Sequence, residues 1–181
     1  MRVIVLFKEG YEEVEALGTV DILRRAKIQC DMVGMDDIEV KSSHDITIKM
    51  DKIFDESDNQ ADVVVLPGGI PGAASLRDDQ RVVDLVSDFY HSHKVVAAIC
   101  AAPIVLQRAG ILEGKNFTCY PGFEKEAISG NYQDVLVCVD GNIVTGRGPA
   151  ASLAFGYAVL EKCGVDSSVY QTGMQYPYVK K

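Results

Sequence analysis

The chain has 181 residues, 48% of them hydrophobic, and a formal net charge of −8. That length suits one domain, residues 1–181, able to bury a sheet between two helical layers without disulfides or metal. The acidic balance, with Lys and Arg scattered along the chain, argues against a nucleic-acid or anionic-membrane surface. Cys30, Cys100, Cys119, Cys138 and Cys163 are an odd number with no C-x-x-C spacing, which argues against both a disulfide framework and zinc. The apolar run at residues 1–7 is too short for a signal peptide or a membrane span, so a reducing cytoplasm is the expected setting.

In chain order, residues 3–7 read as a buried strand and 12–26 as a helix whose apolar side carries Val14, Leu17 and Val20. Arg24 and Arg25 close that helix with cations suited to its C-terminal dipole, and 28–34 supply a second strand. Alternation over 38–50, broken at Ser42-Ser43-His44-Asp45, predicts a small antiparallel excursion. A polar connector, 51–59, leads to a third buried strand at 62–66 and the Gly-rich loop Pro67-Gly68-Gly69-Ile70-Pro71-Gly72. Residues 78–93 form an amphipathic helix ending in His91 and His93, which lack a third ligand nearby and read as dipole partners.

The strand 95–99 follows, then a short helix at 104–109, a strand at 116–120 and another short helix at 124–129. Strands at 134–139 and 142–145 flank Asp140-Gly141, a hairpin signal, and a final helix spans 150–163. Residues 170–181 carry tyrosines without periodicity. Alternating β and α segments with doubly buried strands predict a three-layer α/β sandwich with a mostly parallel central sheet, whose sites form at the strands' carboxyl ends.

Cys100 stands where an apolar strand stops and a helix begins, with Pro103 near the first helical position and Ala98, Ala101 and Ala102 small enough to permit a sharp turn. This is the setting of a nucleophile elbow, although the flanking glycines of the hydrolase pattern are absent. A helix N-terminus favours a thiolate. The backbone N–H groups of Gly69 and of Ala101 are natural oxyanion donors. An acid at the start of the first helix would face the same sheet edge, and Glu12, Glu13 and Glu15 compete for that place, since glutamate is common in a first turn simply because it complements the dipole.

Taken together, Glu12-Glu13-Val14-Glu15, the segment from Val20 to Ala26, Val63-Val64-Val65-Leu66-Pro67-Gly68-Gly69, Ala97-Ala98-Ile99-Cys100-Ala101-Ala102-Pro103 and Thr145-Gly146-Arg147-Gly148-Pro149 resemble the DJ-1/ThiJ branch of the DJ-1/PfpI superfamily over nearly the whole chain. The resemblance implies a flavodoxin-like sandwich, a homodimer, Cys100 as the reactive cysteine, and Glu15 as a protonated partner that donates to it. It implies a stress-response role without a cofactor: a glutathione-independent glyoxalase or deglycase acting on methylglyoxal, glyoxal or glycated groups, or else a peroxide sensor or a chaperone-like dimer. Tyr120, His44 and Arg25 are expected about the pocket. Two of these depart from the branch, since Tyr120 stands where many members have histidine and His44 where some have arginine. Ala101 stands where the protease relatives have histidine, which argues against peptidase activity.

Overall fold

The computed structural model describes residues 1–179. The elements in chain order are β1 (Arg2–Phe7), α1 (Glu13–Arg25), β2 (Gln29–Gly34), β3 (Glu39–Lys41), β4 (Thr47–Lys49), β5 (Lys52–Ile53), β6 (Val63–Leu66), α2 (Gly72–Asp78), α3 (Gln80–His91), β7 (Val95–Ile99), α4 (Pro103–Arg108), β8 (Asn116–Phe117), β9 (Asn131–Tyr132), β10 (Val137–Asp140), β11 (Ile143–Gly146), α5 (Ser152–Lys162) and α6 (Ser168–Gly173). Seven strands form one sheet in the order β10-β11-β7-β6-β1-β2-β5, every pairing parallel except the β10–β11 hairpin. None of the described helices is long and apolar enough to cross a membrane.

Alternation along the central strands builds two cores, one on each sheet face. Ile4, Leu6, Val64, Leu66, Val96 and Ala98 pack with Ala73 and Leu76 of α2, Val86 and Phe89 of α3, and Ile104 and Val105 of α4. Val3, Val5, Phe7, Val63, Val65 and Ala97 pack on the other face with Ala16, Val20 and Leu23 of α1 and Phe155, Val159 and Leu160 of α5. The chain runs from β1 to β2 on one side, while β6 and β7 lie on the other. The carboxyl ends of β1, β6 and β7 therefore meet at the point where strand order reverses, where open α/β sheets place their ligands.

Several elements differ from the sequence-based expectation. Val14, expected inside, is 55% exposed, and the inner face of α1 instead carries Glu15, Ala16, Thr19, Val20, Ile22 and Leu23. The helix expected at 78–93 is α3, which starts at Gln80 because Asp79 leaves the helical conformation and caps it by accepting from the Arg81 N–H, while α2, just before it, was not expected. The connector 51–59 contains the edge strand β5, too short to show a period. The strand expected at 116–120 keeps only Asn116–Phe117, and the helix expected at 124–129 is a single 3₁₀ turn, Phe123–Lys125. Of the tyrosine-bearing tail, Ser168–Gly173 is helical, and residues 180 and 181 lie outside the described residues.

Candidate active site

Cys100 ends β7 in the left-handed backbone region, φ 65°, which an L residue other than glycine seldom adopts. Two long-range hydrogen bonds hold it there: its N–H donates to the Gly146 carbonyl at 2.9 Å, and its carbonyl accepts from the Tyr120 N–H at 2.8 Å. Pro103 then starts α4. The side chain is buried, and its sulfur faces the N–H groups of both Gly69 and Ala101, the two donors named from sequence.

The three competing glutamates divide three tasks. Glu12 is the N-cap of α1, its Oε2 accepting from the Glu15 N–H at 2.8 Å. Glu13 turns to His44, with Oε1 2.9 Å from Nδ1. Glu15 is fully buried, accepts the Gly68 N–H at 2.9 Å, and is in hydrogen-bond contact with Cys100. Burial pushes the Glu15 carboxyl up to about 7, helped by the charge of Glu12 and opposed by the Cys100 and Gly68 hydrogen bonds. Burial pushes the Cys100 thiol up too, and the Glu15 charge adds to this, while the Gly69 and Ala101 N–H groups pull it down. Burial also lifts Cys30 and Cys119 to about 12 and Cys163 to about 11, and none of these three has a backbone donor among the causes of its shift.

Glycine is what lets these parts approach. A Cβ on Gly68 would lie 2.5 Å from Cys100 Cβ and 2.6 Å from Glu15 Oε2, and one on Gly69 would lie 2.4 Å from the Gly10 carbonyl oxygen. The loops after β1 and β6 are thus pressed backbone to backbone, with the Glu12 N–H donating to the Gly68 carbonyl at 3.0 Å.

These fold and site features coincide with matches to known proteins. Residues 1–162 match the DJ-1/PfpI family. The chain belongs to the DJ-1/PfpI family. It is 36% identical to Protein dj-1beta of Drosophila melanogaster over 164 residues, covering 88% of this chain and 87% of that one. It is 34% identical to Protein DJ-1 homolog B of Arabidopsis thaliana over 164 residues, 89% of this chain but only 37% of the length of that relative. The crystal structure of a DJ-1 superfamily protein from Salmonella typhimurium superposes with a TM-score of 0.89 at 31% identity, covering 98% of this chain and 97% of that one.

The remaining residues named for the pocket separate. Tyr120 is half-exposed and joined to Cys100 through its N–H. With Leu136, Arg147, Pro149 and Ala151 it lines a cavity of about 230 Å³ beside the cysteine turn. Arg147 and Leu136 were not singled out as pocket residues, because the first was read as part of a motif and the second as part of a strand; Arg147 is tied down by Asp134 and by the Tyr132 hydroxyl, which accepts from it at 3.0 Å. His44 lies in the β3–β4 turn, on the Glu13 side of the site. Arg25 is not brought to the pocket within this chain. It pairs with Asp21 at 2.7 Å near the C-terminal end of α1, roughly 15 Å along the helix axis from Glu15.

Proposed function

We propose that this DJ-1/PfpI member is a cytoplasmic, homodimeric stress-response enzyme that converts methylglyoxal or glyoxal, or the groups they have glycated, to hydroxy-acid products without glutathione. The observation that carries the reading is the fully buried Glu15, lifted to about 7, in hydrogen-bond contact with a cysteine on a left-handed elbow. Groups this strongly coupled titrate as a pair. One proton leaves near neutrality and the second is held. The sulfur has two N–H donors, whereas the carboxyl has one and its Oε1 is buried without a hydrogen-bond partner, so the remaining proton belongs on Glu15 and the charge on Cys100.

From that state the chemistry balances without an outside oxidant. Cys100 Sγ attacks the aldehyde carbon, and the carbonyl oxygen takes the Glu15 proton to give a hemithioacetal, with the N–H groups of Gly69 and Ala101 placed to receive the developing oxyanion. The Glu15 carboxylate then removes the hydrogen on that carbon and returns a proton to the neighbouring carbon, while the hemithioacetal hydroxyl proton passes to the neighbouring carbonyl oxygen. This oxidises the first carbon to a thioester and reduces the second to an alcohol. Water cleaves the thioester, releasing the hydroxy acid and restoring the pair.

Steady-state kinetics with methylglyoxal test this reading. The wild type should turn over and Cys100→Ala should not. Tyr120→Phe should lose no more than about tenfold in kcat/KM, the scale of one neutral hydrogen bond, because a phenol is a poor base at neutral pH and is expected to orient the substrate. Retained activity in Cys100→Ala would reject the nucleophile, and a larger loss in Tyr120→Phe would reject Glu15 as sole proton carrier. The donors that hold a thiolate also suit a sulfinate, which favours peroxide sensing as the second reading. No turnover by the wild type, together with clean addition of two oxygens at Cys100 under mild peroxide, would select it.

A further inference from the structure

Both backbone anchors of Cys100 lead into a cavity to which the chemistry proposed for methylglyoxal gives no task. The Cys100 N–H donates to the Gly146 carbonyl, and Arg147, Gly148 and Pro149 follow directly as one wall. The Cys100 carbonyl accepts from the N–H of Tyr120, which lines the opposite side. The two sides meet, since a Cβ on Gly148 would lie 3.1 Å from Tyr120 Cδ2. The space between them, about 230 Å³, exceeds the share of one water, roughly 30 Å³, several times over. Methylglyoxal, bound with its aldehyde carbon at Cys100, ends in a single methyl group and has nothing to offer a charged wall.

Among the described residues of that lining, Arg147 alone is charged, and Leu136, Pro149 and Ala151 make the rest apolar. Its two tethers, the Tyr132 hydroxyl and the Asp134 carboxylate, both take Nη1. Nε and Nη2 have no partner among the described residues. These two lie along one edge of the guanidinium, the fork that holds a carboxylate through two parallel hydrogen bonds. The Asp134 side chain is 77% exposed, so its ion pair is a weak competitor for the arginine. An unused fork in an apolar cavity built on the anchors of a nucleophile suits a ligand with a carbonyl at one end, a short hydrocarbon stem and a carboxylate at the other.

We propose that Arg147 determines specificity, selecting among α-oxoaldehydes those that carry a carboxylate at the end of a short apolar stem. The inference rests on the glyoxalase reading of Cys100 and Glu15 and narrows its substrate class.

Steady-state kinetics compare γ,δ-dioxovalerate, in which the methyl of methylglyoxal is extended to a carboxylate, with butylglyoxal, its neutral counterpart. In the wild type kcat/KM should favour the acid by at least about tenfold, the scale of a hydrogen bond to a charged group, with the difference in KM. Arg147→Gln should abolish that preference, and Asp134→Asn, which removes the competing carboxylate and spares the fork, should widen it. A second measurement needs no turnover. Levulinate, the same acid with a methyl in place of the aldehyde, should protect Cys100 of the wild type from iodoacetamide better than butyl methyl ketone does, and should lose that advantage in Arg147→Gln. If neither glyoxal turns over while levulinate still protects in this way, the glyoxalase reading fails and the carboxylate subsite stands. Equal kcat/KM for acid and neutral substrate, a preference unmoved by Arg147→Gln, or equal protection by the neutral ketone would overturn the assignment.

Discussion

Replacing Glu15 by glutamine is expected to make the protein more stable above neutral pH while disabling its chemistry. The carboxyl moves from 4.5 to about 7 on folding. Between those values the native protein holds a proton that the unfolded chain has already released. The stability attached to the first proton of the Glu15–Cys100 pair is therefore fully present below 4.5 and is lost as pH rises through 7. Such a shift corresponds to roughly 3 kcal/mol at a fully buried site. Glutamine carries no titrating group, so the variant should match the wild type near pH 4.5 and exceed it at pH 7.5 by up to about 3 kcal/mol, reduced by whatever the amide's own fit costs. Thermal unfolding reads this directly, since each kcal/mol moves Tm by roughly 2–4 °C in a chain of this size. The same variant should lose about 10²- to 10⁴-fold in dicarbonyl turnover, because its amide cannot carry a proton. A wild type whose advantage over Glu15→Gln grows with pH would show that burial does not lift this carboxyl.

Gly68→Ala is the second large effect expected. The new methyl carbon would fall 2.5 Å from Cys100 Cβ, 2.6 Å from Glu15 Oε2 and 3.0 Å from the Ile99 carbonyl oxygen. The nearest of these atoms are fixed by backbone that already runs in a left-handed turn, so relief requires the cysteine and glutamate to part. Overpacking of this kind costs about 1–3 kcal/mol. The reactivity of Cys100 toward iodoacetamide should fall with it, because the carboxyl donor and the Gly69 N–H move together. Gly173→Ala, where an added Cβ meets nothing within 4 Å, serves as the control and should change neither property. Unaltered labelling of Cys100 in Gly68→Ala would mean that the loop yields more readily than its contacts imply.

Much of the sheet was legible because β1, β6 and β7 are runs of consecutive apolar residues that only a doubly covered strand accommodates, and all three are buried along nearly their whole length. Cys100 was legible because a strand, small residues and Pro103 follow one another without a gap. Two readings on α1 fell short. Hydrophobic periodicity placed Val14 inside, yet the position that points inward is Glu15, so the pattern breaks at the residue whose burial the proposed chemistry uses. Spacing could not choose among Glu12, Glu13 and Glu15, since the choice is made by partners that spacing does not show: the helix's own N–H for Glu12, a turn for Glu13, and the Gly68 loop for Glu15. Asp79 carried a usable signal as a helix-capping residue at the start of the pattern read as 78–93. β5 carried none, being two residues that pair only where β2 offers its edge. Arg25 could not be placed by motif alone, because helix length sets it far from Glu15.

The central claim is that Cys100 and Glu15 share one proton with the charge on sulfur, and the rate of Cys100 alkylation against pH measures it most directly. The wild type should show an inflection near neutrality, and in Glu15→Leu that inflection should move upward, because the variant removes the donor that favours the thiolate. A downward move would show that Glu15 is the carboxylate and repels the thiolate, and an unmoved profile would show that the two do not share a proton; either result contradicts the account.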